Sequence, residues 1–458
     1  MDLQTFQGIL ISTISGDQET INNAEGTLNQ LKESNYAFFI NFEFQSMLQP
    51  MNEHIAPISI VHLYREVKSG RLFEFPELAL NFLQEFSTNI TNLLLSTNLA
   101  EQFKLTLSNI FASLHVHIFQ LNGNVSIPTY LLTTYNQLPQ LRKYIINCIY
   151  EISIIDHDLG GFSLENLSKI LSDSYEDLNL YVPRIHLFFA LALGRTELEC
   201  LHEYFNFLLT SLPPQFLNDF LLSLANFAEE DGYFLSPHAE QLFKLLVEIS
   251  LNNAQDNKTR NLAIFCFMSL SKGAPEMCKS CPDFLTQIIS ALFRIVAEIP
   301  EDTSWEYSAD NDKPYQTALD AILAINSNLD DRNCLKTFYD MNNNLMGDSQ
   351  VPWQIKFAFI STFTALINAV IIEEPMASVL PTIFQSLSSF LNLETHPRIR
   401  VAIYDLMKTM SKYLAIDDNE NLIGIISAIE QASLNENFTF GKQMAYQALI
   451  GFFSQTYH

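Results

Sequence analysis

Three short groups of residues have the types and spacing that could support chemistry. Cys278 and Cys281 form a C-x-x-C pair, which suits half of a zinc site or a redox-active dithiol. Zinc needs two further ligands at a matching spacing, and neither a second C-x-x-C nor an H-x₃₋₅-H sequence follows. A thioredoxin-like role requires strands around the pair, whereas the surrounding sequence has helical periodicity. We therefore predict that both cysteines are structural residues near a helix end.

The other two groups contain histidine. His115 and His117 are two positions apart, on nearly opposite sides of a predicted helix, which is a poor arrangement for one ligand set. The Asp-His-Asp triplet at 156–158 follows a predicted helix and is expected to cap its end. The sequence contains no G-x-S-x-G, G-x-x-x-x-G-K-[ST] or G-x-G-x-x-G motif. We expect no catalytic residue, no metal site and no cofactor, and predict that the chain is not an enzyme.

An acidic segment, EIPEDTSWEYSADND at 298–312, holds six acids and no base. Pro300 and Ser304 interrupt any helix, so residues 298–313 are predicted to form a loop. Its tryptophan could stack on a lysine or arginine side chain of a partner. The candidate partner-binding residues are Glu298, Glu301, Asp302, Trp305, Glu306, Asp310 and Asp312. The alternative is a solvated turn whose tryptophan packs on the core.

Composition limits the classes of partner. The 458 residues are 48% hydrophobic, which is ample for a large core, and carry a formal net charge of −26. A surface so negative repels nucleic acid and anionic membranes and favours basic proteins, although solubility alone would also explain it. The N-terminus lacks a basic signal-peptide region, and the longest apolar run, 357–372, is too short to span a bilayer. Six scattered cysteines fit a reducing compartment, so we expect a cytoplasmic and nuclear protein.

The elements that would position these residues are paired amphipathic helices that recur along the chain. Four segments, 138–153, 256–271, 351–366 and 396–411, begin alike and then become apolar at helical spacing. The last of them opens with Pro397, which suits a first helical turn. Basic residues near the starts are predicted to form a polar ladder between repeats, and they are Arg142, Arg260, Lys356, Arg398 and Arg400. A two-helix period of about 40–47 residues is typical of HEAT and armadillo repeats.

This recurrence predicts the fold. A single helical hairpin leaves one apolar face bare, so it must stack on a neighbour. We predict an all-α, right-handed α-solenoid of HEAT-type hairpins with about eleven repeats of ~42 residues. The alternative is an ordinary bundle of unrelated amphipathic helices.

Three stretches, NNAEGTLNQLKES at 22–34, residues 233–277 and segment 298–312, carry a family resemblance that extends over essentially the whole chain. Together they resemble the importin-β (karyopherin-β) family of nuclear transport receptors. NNAEGTLNQLKES (22–34) is similar to the second helix of the family's first repeat. Residues 233–277 resemble a repeat of the branch that carries ribosomal proteins and histones, with its Pro-His entry, Leu-Asn-Asn turn and Arg-x-x-Ala helix. Segment 298–312 falls where such receptors place an acidic, tryptophan-containing loop. Asn22 and Asn23 depart from the family, which often has basic residues there.

The resemblance implies that the chain corresponds to the N-terminal half of such a receptor. Residues 1–75 would form two importin-N-terminal-like repeats, and 76–297 would form repeats 3 to 7 and the start of repeat 8. Residues 298–313 would be the acidic loop within repeat 8, and 314–458 would complete repeats 8 to 11.

The implied function is that of a transport receptor that binds basic protein cargo on an acidic concave face. The resemblance further implies regulation by a Ran-type GTPase in its GTP form, which the family contacts through its first repeats. Phe-Gly nucleoporins would bind weakly in outer grooves with aromatic entries such as EYFNFLL (203–209), unless those aromatic residues belong to the core. Neither nucleic acid nor membrane is expected as a partner. The alternative function is a HEAT-repeat scaffold subunit of a phosphatase- or chromosome-associated complex with no transport role, because fold does not fix function.

Overall fold

The described part of the chain is built from helices. The computed structural model describes residues 1–122, 126–156, 159–173, 177–195, 198–281, 284–301, 313–330, 332–345, 350–369, 383, 387–388, 390–391, 396–413, 419–437 and 439–455. Within these residues the regular structure is α-helix and short 3₁₀-helix, and no strand is present. The predicted all-α class is confirmed.

The chain packs as two compact units, Met1–Phe205 and Asn206–His458. The helices of unit 1 are α1 Leu3–Ser12, α2 Gln18–Ser34, α3 Tyr36–Leu48, α4 Ile55–Lys68, α5 Pro76–Leu95, α6 Glu101–Asn122, α7 Ser126–Gln137, α8 Arg142–Ile155, α9 Leu164–Ser172 and α10 Tyr181–Ala192. Helix α11, Glu199–Ser211, contains the boundary. Unit 2 continues with α12 Leu217–Asp231, α13 Ala239–Leu251, α14 Asn257–Gly273, α15 Pro275–Ser280, α16 Phe284–Val296, α17 Pro314–Leu329, α18 Arg332–Asn342, α19 Trp353–Ala369, α20 Pro397–Met410, α21 Asn419–Leu434 and α22 Thr439–Gln455.

Successive helices pair as hairpins, and the hairpins stack through their second helices. In unit 1, α4, α6, α8 and α10 each pack against the next. In unit 2 the corresponding layer is α12, α14, α17, α19, α20 and α22. This arrangement is the one predicted for HEAT-type repeats, in which each hairpin buries its apolar face against its neighbours.

Local sequence signals explain where the helices begin. Asp256 caps α14, because its Oδ1 accepts a hydrogen bond from the backbone N–H of Thr259 at 2.8 Å. Helix α20 begins at Pro397, as predicted, and its stripe through Ile399, Ile403 and Met410 is buried. The missing N–H of proline has no intrahelical partner to lose in the first turn.

Aromatic side chains fill the layers between hairpins. Phe44 of α3 meets Phe82 of α5 edge to face, with ring centroids 5.0 Å apart. Phe86 and Phe111 continue this cluster into α6 at 5.9 Å, and both are fully buried. Each buried phenylalanine stabilises the stack by about 1.5–3 kcal/mol. These contacts join the first helices α3 and α5 to the second helix α6.

Candidate binding surfaces

A groove of about 650 Å³ lies along the second helices of unit 1. Helices α2 and α4 supply most of its walls, and α6 adds Phe103. The lining residues are Thr13, Ile14, Glu25, Leu28, Asn29, Lys32, Phe39, Pro57, Ile58, Val61, His62, Arg65, Glu66 and Phe103. Aliphatic side chains and charges of both signs alternate around it, which suits a protein surface better than one small molecule.

One wall of this groove is held by a carboxylate that joins two hairpins. Glu66 of α4 is buried and forms an ion pair with Lys32 of α2. Its other oxygen accepts a hydrogen bond from the Tyr36 hydroxyl at 3.0 Å. Burial and the negative charge of Glu66 raise the pKa of Tyr36, so this hydroxyl stays protonated and donates. The exposed neighbours Glu25 and Arg65 remain at the groove surface.

The ring of His62, which lines the same groove, is positioned by a buried carboxylate. Its Nδ1 lies 2.7 Å from Oε1 of Glu43, whose side chain has no solvent exposure. Burial raises the pKa of the Glu43 carboxyl, and the contact with His62 lowers it, with a net rise. A buried carboxyl paired with one partly exposed ring fixes that ring's position in the groove.

Three of the residues predicted to form a polar ladder, Arg142, Arg260 and Arg400, meet acids of the following hairpin. Arg142 Nη1 of α8 lies 3.4 Å from Asp173 Oδ2, directly after α9. The guanidinium also lies over the ring of Tyr135, 5.0 Å from its centroid. Arg184, which is almost completely buried, approaches the same Asp173 oxygen at 3.9 Å. The Asp173 carboxylate therefore interacts with two arginines, which lie on successive second helices.

Arg260 of α14 repeats this arrangement in unit 2. Its Nε donates to the carbonyl of Ser250 at 2.8 Å, and its Nη2 donates to Glu298 at 2.7 Å. Glu298, which was predicted to bind a partner, thus pairs inside the chain, just after α16. Glu301 is exposed. The remaining predicted residues of the acidic segment lie outside the described residues, and they are Asp302, Trp305, Glu306, Asp310 and Asp312.

Arg400 of α20 makes the most complete of these contacts. Its Nε and Nη2 donate to the two carboxylate oxygens of Glu436 at 2.9 and 2.8 Å. Glu436 follows α21 and is buried. Of the other two candidates for the ladder, Arg398 is buried and Lys356 is half-buried.

The three contacts share one geometry. A cation in the first turn of a second helix meets an acid just beyond the C-terminus of the next hairpin's first helix. The negative end of that first helix attracts the cation as well, so the helix dipole adds to each pair. Arg142, Arg260 and Arg400 therefore lie at joints between hairpins.

The second-helix face of unit 2 is mixed in character. Asp219 of α12 is half-buried, whereas Glu230 of α12 and Asp320 of α17 are exposed. Glu229 is engaged by Lys272 of α14 at 2.9 Å. Three large apolar side chains, Leu222, Phe265 and Leu323, are also exposed on α12, α14 and α17. Sequence reasoning missed these three, because an exposed apolar residue is recognisable only once the buried face of its helix is known.

The aromatic segment 203–209 packs inward. Tyr204 and Phe205 are buried, with ring centroids 5.4 and 5.7 Å from that of Phe188. Core packing was the alternative interpretation, and the geometry agrees with it. A shallow cleft of about 60 Å³ lies instead between α16 and α18, lined by Leu285, Thr286, Ile289, Ser290, Cys334, Thr337, Phe338, Met341 and Asn342.

The histidines have separate structural contacts. His115 is buried, and its Nε2 lies 2.8 Å from the carbonyl oxygen of Gly160; burial lowers the pKa of the ring. His117 stacks on Phe73 with 3.9 Å between ring centroids. Asp156 accepts a hydrogen bond from Gly160 N–H at 2.9 Å, which closes the turn after α8. Residues 157 and 158 lie outside the described residues.

The C-x-x-C pair lies at the end of the short helix α15. Cys278 is buried, and burial raises the pKa of its thiol to about 12, which leaves little nucleophilic thiolate. Across the described ranges, no group of three or more His, Cys, Asp or Glu side chains could hold a metal ion. Of the helices in the described residues, none combines the length and the apolar character that crossing a bilayer requires.

Comparison with known proteins bears on the whole arrangement. Residues 252–330, from the turn before α14 to the residue that follows α17, match the family model described as Importin repeat. No curated protein matches the chain. Among solved structures, Kap121p bound to RanGTP matches with a TM-score of 0.79 and 17% identity over 98% of this chain. Kap121p bound to Nup53p gives 0.81 and 16%, and the karyopherin Kap121p bound to the extreme C-terminus of Cdc14p gives 0.80 and 16%, each also over 98%.

In all three comparisons the chain spans 44% of the length of the karyopherin that it matches. At such low identity these matches establish the fold, and the importin repeat at 252–330 adds a family signal that is independent of shape. The chain therefore has the karyopherin fold and carries an importin repeat, which confirms its resemblance to the importin-β (karyopherin-β) family.

Proposed function

We propose that the chain is an importin-like nuclear transport receptor that carries basic protein cargo through the nuclear pore under the control of a Ran-type GTPase. The observation that supports this most directly is the importin repeat at 252–330, whose second helices α14 and α17 keep one face exposed. A receptor with this role works in both cytoplasm and nucleus. Its partners are proteins, and neither a cofactor nor a catalytic residue takes part.

Cargo would bind on the second-helix face of unit 2. Asp219, Glu230 and Asp320 supply negative charge there, and the net charge of −26 attracts cationic segments from a distance. An exposed ion pair contributes only about 0–1 kcal/mol, so several must act together. Kap121p, whose fold this chain has, was crystallised with Ste12p and with Pho4p. The acidic segment 298–312 would extend this surface, with the Arg260–Glu298 pair holding its first residue against α14.

The GTPase would bind at the groove of unit 1. The family resemblance assigns GTPase contact to the first repeats, and Kap121p was crystallised with RanGTP. In this chain the groove offers exposed Arg65 and Glu25 beside the apolar Ile58 and Val61. A mixed surface of this kind suits a folded protein partner, with an apolar centre and a charged rim.

A binding experiment with one charge reversal tests the GTPase site. A Ran-type GTPase loaded with a non-hydrolysable GTP analogue should bind the protein, and the GDP form should bind at least about tenfold more weakly. Arg65→Glu, in the groove, should weaken binding of the GTP form about tenfold. Lys68→Glu makes the same charge change on α4 outside the groove and serves as the matched control. Isothermal titration calorimetry gives both affinities.

Other outcomes would contradict this function. Equal binding of the two nucleotide states, or no binding of either, would argue against a transport receptor. If the protein instead held a stable partner at high salt, the scaffold alternative would be favoured. If the receptor function is right, the GTPase and basic cargo should weaken each other by the same factor, typically 5- to 150-fold.

Nucleoporin contact would use the cleft between α16 and α18. Ile289, Phe338 and Met341 give it apolar walls, and Met341 is exposed. A phenylalanine of a Phe-Gly peptide would insert between the two first helices. Met341→Glu should abolish capture on Phe-Gly-coated beads, whereas Asn342→Asp, on the next residue, should reduce it little.

A further inference from the structure

Three exposed apolar side chains lie on consecutive second helices of unit 2. Leu222 of α12 is 52% exposed, Phe265 of α14 is 47% exposed, and Leu323 of α17 is 39% exposed. One turn further along α12 and α17 the same face is polar, with the exposed Asn226 and Ser327. We call Leu222, Phe265 and Leu323 the apolar row.

Hydrogen bonds fix the register between α12 and α14. Thr259 Oγ1 donates to Asn218 Oδ1 at 2.8 Å, and Cys266 Sγ donates to the carbonyl of Leu221 at 3.2 Å. A residue of α12 therefore lies beside the residue about 41 to 45 positions later. Leu222 and Phe265, 43 positions apart, are at the same level.

A hydrogen bond between α14 and α17 likewise fixes the level of Leu323, the third residue of the apolar row. Asn328 Nδ2 of α17 donates to Ser271 Oγ of α14 at 3.0 Å, a separation of 57 positions. Phe265 and Leu323 are 58 positions apart, so they too are level. The apolar row thus crosses three neighbouring helices at one height.

The spacing of this row specifies a conformation for its occupant. Packed helices have axes about 8–10 Å apart. A polyproline II segment rises ~3.1 Å per residue with three residues per turn, so every third side chain points the same way at intervals of about 9 Å. A β-strand alternates sides, so residues three apart on it point in opposite directions. A polyproline II segment therefore matches the apolar row, and a β-strand does not.

The charges beside the apolar row indicate which residues should lie between the apolar side chains of the occupant. Asp219 and Asp320 precede Leu222 and Leu323 by three positions, one helical turn away on the same face. Both acids therefore flank the two ends of the apolar row. An occupant with lysine or arginine beside its apolar residues would complement this pattern.

Resting on the proposed function, we propose that the apolar row holds an extended cargo segment with an apolar side chain at every third position and lysine or arginine between them. The recognition is therefore periodic and not simply electrostatic. The three helices contact one side of the segment, and the exposed Asn226 and Ser327 are placed to hydrogen-bond its backbone.

Two peptides of identical composition and one serine control test this periodicity. A fluorescein-labelled peptide with the repeat Leu-Lys-Lys is compared with one in which leucine and lysine alternate before a lysine tail, and with one in which serine replaces leucine. The full chain should bind the Leu-Lys-Lys peptide at least about tenfold more tightly than either of the others. Fluorescence anisotropy measures all three affinities.

Variants locate the binding. Phe265→Ala should weaken the Leu-Lys-Lys peptide about tenfold and leave the serine peptide unchanged, because only the apolar contact is lost. Leu434→Ala removes a side chain that is 76% exposed on α21, outside the row, and should have no effect. Thermal unfolding shows that each variant is folded.

Two failures are distinguishable. Equal affinities for the leucine peptides, with basic cargo still bound and still displaced by the GTP-loaded GTPase, would overturn the apolar row and leave the proposed function standing. Loss of cargo and GTPase binding together would overturn both.

Discussion

At the scale of single residues, the Arg400–Glu436 pair should dominate the stability of its joint. Arg400→Ala leaves a buried carboxylate without its two strongest donors, at a cost of about 3–5 kcal/mol in the free energy of unfolding. Urea denaturation followed by circular dichroism measures this. Lys279→Ala, which breaks the exposed pair with Glu276, should cost less than about 1 kcal/mol. Equal losses would show that burial does not set the strength of these pairs.

Glu43 should make stability depend on pH. Its pKa is raised from the usual value of 4.5, so the folded protein binds this proton more tightly than the unfolded chain does. The contribution is fully present below pH 4.5 and is lost as pH rises through the raised pKa. Relative to Glu43→Gln, which does not titrate, the wild type should lose stability as the pH rises from 4.5 to 7. Denaturant unfolding across this pH range measures the difference, and the exposed Glu25→Gln should follow the wild type.

At the scale of elements, two glycines make a matched pair. A Cβ on Gly273, the last residue of α14, would lie 1.8 Å from the backbone oxygen of Ala228 on α12. Gly424 lies on α21 with nothing within 4 Å of the corresponding position. Gly273→Ala should force α12 and α14 apart and destabilise unit 2 by about 1–3 kcal/mol. Gly424→Ala should stabilise by about 0.5–1 kcal/mol, because alanine favours the helix. Thermal unfolding shows whether each substitution raises or lowers the stability. An unchanged stability for Gly273→Ala would argue against this close approach of α12 and α14.

The sequence predicted the second helices well because their signals are local. A basic residue in the first turn and an apolar stripe at 3.6-residue spacing identified α8, α14, α19 and α20. The partners of the ladder were not predicted, since Asp173 and Glu436 follow Arg142 and Arg400 by 31 and 36 positions. An acid just after each first helix was the available signal, but it becomes meaningful only when adjacent hairpins are stacked.

The candidate surfaces were less predictable than the helices. Segment 203–209 was considered as an outer groove, yet Tyr204 and Phe205 pack on Phe188, because aromatic residues of a first helix face its partner as readily as solvent. The apolar row was missed for the opposite reason. Leu222 and Phe265 have the residue types of a core, and only the packing of α12 against α14 reveals that they face outward.

At the scale of the whole molecule, the net charge of −26 predicts how binding responds to salt. Screening shortens the reach of charges from about 10 Å at 0.1 M to about 3 Å at 1 M. Affinity for a basic cargo protein should therefore fall at least about tenfold between 50 mM and 500 mM sodium chloride. Association rates from stopped-flow fluorescence should fall more than dissociation rates rise. A salt-independent affinity would mean that the acidic surface does not guide cargo.

The stacking of each second helix on the next has a consequence for how the protein is made. The helices that pack most closely belong to the same hairpin or to adjacent ones, so the chain does not wait for distant partners before it folds. As residues leave the ribosome, each new hairpin can pack against the preceding hairpin, which has already folded. Folding can then keep pace with synthesis, and each apolar helix face is buried soon after it has been synthesised.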